Sequence, residues 1–109
     1  MTAMSSAFSA AVDAIFRDAN LAEDAIWRAG GAGDGSAVRV IRKSPDEVVG
    51  FGSSRAVMAT VLIDARVAEV ASPAAGDSVE IDGALFDIIG TPVRDSLGLV
   101  WTCEASPRA

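Results

Sequence analysis

The chain has no histidine and no tyrosine, one cysteine, and few aromatic residues of any kind. Each shortage excludes something. Without histidine there is no imidazole to act as a general base or metal ligand, so Ser-His-Asp and Cys-His arrangements and His-dependent zinc sites are ruled out. One cysteine, Cys103, cannot build an internal disulfide framework and suits a reducing compartment. Without tyrosine, any base-stacking platform would have to use Phe or Trp. Cations are also short: Lys and Arg number 9 against 15 Asp and Glu, for a net charge of −6. That balance disfavours a partner held by its phosphates. No apolar run approaches the length of a membrane span, and the first residues lack the basic and apolar regions of a signal peptide.

What remains is a chain of 109 residues, half of them apolar. That is the size of one domain with a modest core, and residues 1–109 read as a single unit. Its clearest stretch is Gly76 to Ile89, GDSVEIDGALFDII. Val79 and Ile81 alternate with Ser78, Glu80 and Asp82, which gives one apolar and one wet face. Asp82-Gly83 is the pair that a two-residue type I′ turn requires, because both central residues need positive φ. Ala84, Phe86 and Ile88 return on one face of the second strand. This is scaffold, with no reactive group in it.

Residues 1–5 read as a loose terminus. Ser5 or Ser6 can cap a helix over residues 6–19, whose Phe8, Ala11, Val12, Ile15, Phe16 and Ala19 recur at helical spacing. The simplest use of that stripe is to pack on a sheet; the alternative is to bind a partner. Ala25 to Arg28 is expected to be a short strand. Gly30 to Gly35 (GGAGDG) is rich in glycine, but an alternating strand, SAVRVIRK, follows it where a phosphate-binding loop would need a helix. It reads as a hairpin connection. Ser44 to Arg55 is irregular, with Pro45, Asp46, Glu47, Gly50 and Gly52 around Val48, Val49 and Phe51. Ala56 to Asp64 is apolar on both faces, as for a strand covered on both sides, with the N-terminal helix as the natural cover. Ala65 to Ser72 reads as a short excursion, with a helical turn, before Pro73. Asp95-Ser96-Leu97-Gly98 is a second turn, and Leu99, Trp101 and Cys103 alternate inward on a last strand. Residues 105–109 form a tail. No basic residue adjoins Cys103 in sequence, so it reads as a small core hydrophobe. The fold class is mainly β: a small antiparallel sandwich or partly open barrel of about six strands over residues 25–104, with one N-terminal α-helix.

The order of these elements resembles the head–tail attachment (head–tail joining, or stopper) proteins of lambda-like siphophages, prophages and gene transfer agents. The resemblance runs from Phe8 to Trp101. It is carried by the helix with Phe8 and Asp13, the strand VRVIRK, an acidic loop with Pro45 and Asp46, the strand VLID, the linker ARVAEVASPAAGD, the run V-x-I-D-G-x-x-F-D-I, and the turn Pro92 to Asp95. It implies a non-enzymatic virion neck protein without cofactor, metal or catalytic residues. Such a protein forms a homo-oligomeric, hexameric ring between the portal or adaptor on the head side and the tail terminator or tail tube on the other. It retains packaged DNA, which passes through the channel without specific binding, and no membrane is involved. The family's mobile loop corresponds to Ser44–Arg55. That makes Asp46, Glu47, Val48, Val49, Phe51 and Arg55 the expected partner-contact residues. Two other readings are an OB-like barrel binding nucleic acid or another ligand, for which Arg39, Arg42 and Lys43 would be the basic cluster, and a tail-terminator ring protein.

Overall fold

The computed structural model describes residues 3–44 and 60–108. One helix, α1 (Ala3–Arg17), precedes six strands: β1 (Glu23–Arg28), β2 (Ser36–Lys43), β3 (Val61–Arg66), β4 (Ser78–Ile81), β5 (Ala84–Arg94) and β6 (Val100–Pro107). The strands close into a barrel in the order β1-β2-β3-β6-β5-β4. Every neighbouring pair is antiparallel. Closure comes from the β1–β4 ladder, where Ile26 faces Glu80, Trp27 faces Val79 and Arg28 faces Ser78. The sequence pattern left sandwich and partly open barrel as alternatives, and this ladder decides between them.

The hairpin chemistry works as its residues dictate. Asp82 and Gly83 both have positive φ, 53° and 83°, at the β4–β5 turn. The glycine-rich stretch joins β1 to β2 as a hairpin connection, with a 3-10 turn over Ala29–Gly31. Between Ile89 and Val93, β5 advances four residues while β6 advances only two, from Glu104 to Thr102. This bulge holds Gly90, Thr91 and Pro92, so the proline's missing N–H costs no ladder bond. The β5–β6 hairpin beyond it is re-aimed.

Inside the barrel the strands alternate as expected. Val40, Ile63, Ala65, Val79, Cys103 and Ala105 are wholly buried, with Ile81 and Ile88 nearly so. Small residues (Ala25, Ala65, Cys103, Ala105) share the interior with Trp27, Phe86 and the isoleucines. A narrow barrel needs that mixture to fill without voids. One buried carboxylate organises one end. Asp77 accepts hydrogen bonds from the Trp27 indole at 3.0 Å, from the Gly30 N–H at 2.9 Å and from the Ala74 N–H at 3.0 Å. It ties the β1–β2 connection to the approach to β4.

Element boundaries differ from the sequence expectation at several ends: the helix stops at Arg17 rather than Ala19, and β1 starts at Glu23 rather than Ala25. The helix begins at Ala3, because Ala3, Met4 and Ala7 propagate a helix as well as a serine cap would start one. β3 continues to Arg66 because Ala65 is needed in the core and Arg66 on the outer face. β6 continues to Pro107 rather than ending in a tail, and Arg108 still donates its N–H to the Leu85 carbonyl at 2.8 Å and pairs with Asp87.

Candidate interaction surface

Helix α1 is seated on the barrel by charge more than by apolar contact. Arg39 and Arg66 alternate with the buried residues of β2 and β3 and therefore stand on the outer face. Arg39 donates from Nε to the Phe16 carbonyl at 2.8 Å and from its terminal nitrogens to the Ala22 carbonyl and to Asp24. Arg66 pairs with Asp13 and Glu69, each at 3.0 Å, and lies over the Phe16 ring at 5.5 Å. Glu69 also accepts from the Arg39 N–H. A guanidinium at a helix C-terminus satisfies carbonyls that have no partner within the helix.

The expected packing of the helix stripe on the sheet is therefore corrected. Only Phe16 of that stripe is buried. Val12 is half-buried beside Ser9 and Asp13, while Phe8, Ala11 and Ile15 face solvent. The stripe is wider than the seat, and the two arginines select the Phe16 side of it.

Among the described residues the exposed large hydrophobics fall in two places. Phe8, Ile15 and Leu21 belong to α1 and the turn after it, and Val93 and Leu97 belong to the β5–β6 hairpin end. The sequence reading missed the second place, because Val93 and Leu97 sit in what looked like an ordinary turn; the signal was two large apolar residues flanking Asp95-Ser96. Because the barrel is closed, no strand edge among the described residues is left for an added strand. A partner must use side-chain faces, the helix or the connections.

The expected contact residues Asp46, Glu47, Val48, Val49, Phe51 and Arg55 lie outside the described residues. Their attachment is clear. The segment joins β2 to β3 where Lys43 faces Leu62, and Lys43 pairs with Asp64 there at 3.0 Å. In the β3–β6 ladder Val61 faces Ala105 and Arg66 faces Val100. The β2–β3 connection and the β5–β6 hairpin end therefore leave opposite ends of the same pair of strands, roughly 17 Å apart along β3.

The remaining candidates are structural. Arg39, Arg42 and Lys43 do not form a basic groove. They pair with Asp24, Glu23 and Asp64 respectively. Cys103 is wholly buried, and its thiol is pushed up to about 12, first by burial and then by the negative charges of Asp64 and Asp77. At that value it is not a nucleophile near neutral pH. Among the described residues no group of three or more acidic, cysteine or histidine side chains comes together as a metal site would require.

A small closed β-barrel with one outer helix, a net negative charge and two places with exposed apolar residues is the setting for the comparison with known proteins. The family model described as Phage Head-Tail Attachment protein matches residues 4–105. The chain belongs to the phage head–tail attachment family. The match takes in α1 from Met4 and nearly all of the barrel, ending at Ala105 in β6. No curated protein matches the chain. Membership in the attachment family makes this a structural component of the phage virion, working in the neck and contacting head and tail components. A structural family of this kind is consistent with a protein that is not an enzyme. No helix among the described residues is long and apolar enough to cross a membrane.

Proposed function

We propose that this attachment protein is a neck-ring subunit. Copies of the chain form a homo-oligomeric, hexameric ring that joins the portal or adaptor of the DNA-filled head to the tail terminator or tail tube, and the ring retains packaged DNA. The observation that carries this reading is the two-ended barrel: one connection leaves β3 at Val61, and the β5–β6 hairpin projects from the Arg66 end. A subunit so built can meet one neighbour above and another below. Asp46, Glu47, Val48, Val49, Phe51 and Arg55, on the connection between β2 and β3, are the proposed contact residues on that side.

The charge suits the role. Net charge is −6, and six of the described cations (Arg28, Arg39, Arg42, Lys43, Arg66 and Arg108) are engaged in ion pairs. A channel lined by such a surface lets a polyanion pass without holding it. The same pairing weighs against the OB-like nucleic-acid reading, whose basic cluster is neutralised.

The test is particle composition. Particles purified from producing cells should contain the chain at a low, fixed ratio to the portal protein, measured by mass spectrometry. Deleting its gene should leave heads without tails, or heads that leak DNA. Absence from particles, with capture of nucleic acid instead, would overturn the reading.

A further inference from the structure

The seat of α1 does not match its apolar face. With about 100° between successive residues, Phe8, Val12, Ile15 and Phe16 fall within one arc of about 100°. The residues turned to the barrel are Ser9, Val12, Asp13 and Phe16. Their arc is rotated from the apolar one by about 60°. Phe8 and Ile15 are left 42% and 44% exposed, while Ser9 and Asp13 take inner positions. An amphipathic helix ordinarily turns its whole apolar stripe inward. Phe16 is the one buried side chain among those described in α1, and the continuous core inside the barrel does not include it. That core is complete without the helix.

The polar part of the seat is incompletely matched as well. Among the described residues, two side chains tie α1 to the barrel: Arg39, which donates to the Phe16 carbonyl, and Arg66, which pairs with Asp13. The Arg66 Nε–H is buried and has no acceptor among the described residues. Such a donor has given up its hydration and gained nothing in return. Lifting α1 would let water reach it. Opening would also leave no cation stranded, because Arg66 keeps its pair with Glu69 and Arg39 its pair with Asp24. Both the apolar and the polar contacts thus hold the helix less firmly than the strands hold one another.

We propose that α1 is a hinged strap, closed over β2 and β3 by Phe16 and the two arginines and able to open as one unit while the barrel stays folded. The hinge is the turn between Arg17 and Ala22, held by the Leu21 and Ala22 N–H groups on the Asp18 carbonyl. Ala22 is buried and β1 follows it, so the chain beyond the hinge stays on the barrel. Opening uncovers the outer faces of Arg39 and Arg66. It also frees Phe16 to join Phe8, Val12 and Ile15 on one continuous stripe wherever the helix re-forms. Alone in water a helix of 15 residues is marginal, so the open strap is largely unwound. The inference goes beyond the ring reading and does not depend on it.

The experiment is native-state amide exchange on the full chain, followed residue by residue by NMR across a series of low urea concentrations. The amides from Ala11 to Arg17 should share one opening, at least about tenfold more frequent than that of the β3 and β6 amides. Phe16→Ala should raise it about tenfold or more. Asp13→Asn should raise it about two- to fivefold, and 0.5 M sodium chloride should act in the same direction on the wild type. The strand amides should keep their protection throughout. Equal protection of α1 and the strands in the wild type would overturn the proposal. So would a gradient that falls away from the Ala3 end while the Phe16 turn stays as protected as the strands, which is ordinary fraying. A shared opening that neither Asp13→Asn nor salt alters would remove the arginine clasp and with it the proposal. Loss of strand protection in Phe16→Ala would show that the helix belongs to the barrel's folding unit, and would also overturn it.

Discussion

Asp77 is the buried carboxylate that ties one end of the barrel together. It satisfies three donors, two of them from residues 47 and 50 positions away in sequence. Asp77→Ala strands all three donors, at about 1–3 kcal/mol for each that stays buried. A loss of at least ~3 kcal/mol is expected, read as a lowered urea midpoint. Trp27→Phe removes one of those bonds and should cost about 1–2 kcal/mol by the same measurement. Cys103 gives a pH prediction. Its thiol lies at about 12 in the folded chain against 9.0 when unperturbed. Only the unfolded chain gains by ionising between those values. The contribution is therefore fully present below pH 9 and is lost as pH rises towards 12. Unfolding curves taken across that window should fall more steeply for the wild type than for Cys103→Ala. Iodoacetamide at pH 8 should label Cys103 only after denaturation.

At the scale of elements, the hairpins can be tested by the glycines that shape them. Gly83→Ala meets nothing nearby but must hold φ at 83°, so it should cost about 1 kcal/mol. Gly35→Ala, at φ 80°, would also place its new carbon 2.6 Å from Ile26 Cγ2 and 2.9 Å from the Trp27 carbonyl. It should cost more, about 2–3 kcal/mol, in thermal unfolding. Arg66→Met keeps the stem against Phe16 but drops two ion pairs. Amide exchange in α1 should rise while the barrel strands stay protected. These elements also show what could be read in advance. The β4–β5 hairpin was legible down to its turn type, because alternation and Asp-Gly are local signals. The barrel's closure was not, since it depends on Ile26 meeting Glu80 across two intervening strands. The seat of α1 was hidden for a similar reason: periodicity marks which residues are apolar, but Arg39 and Arg66 decide which of them turn inward. In the interaction surface the α1 face was visible as a stripe with a partner-binding alternative. The hairpin end was not, because a bulge made by Gly90 to Pro92 sets its direction.

For the whole molecule, charge and closure act together. Among the described residues the ion pairs leave few free cations, so the purified protein, with its net charge of −6, should not retard duplex DNA in an electrophoretic shift assay at about 0.15 M salt. Retardation that collapses with rising salt would reveal a basic surface and argue against passive passage of DNA. Association between copies should run the other way. Raising salt from low to moderate ionic strength screens the net charge of −6 and should strengthen self-association on sedimentation, because like-charged copies then repel less.

The β1–β4 ladder also sets a timetable. β1 leaves the ribosome early, yet its second partner is β4, more than fifty residues later. Until then one side of Glu23–Arg28 carries unpaired backbone groups. Long-range pairing of this kind folds slowly, in milliseconds to seconds. During that interval β1 of one nascent chain can pair with β4 of another. Speed of barrel completion then bears on how many chains fold as separate barrels.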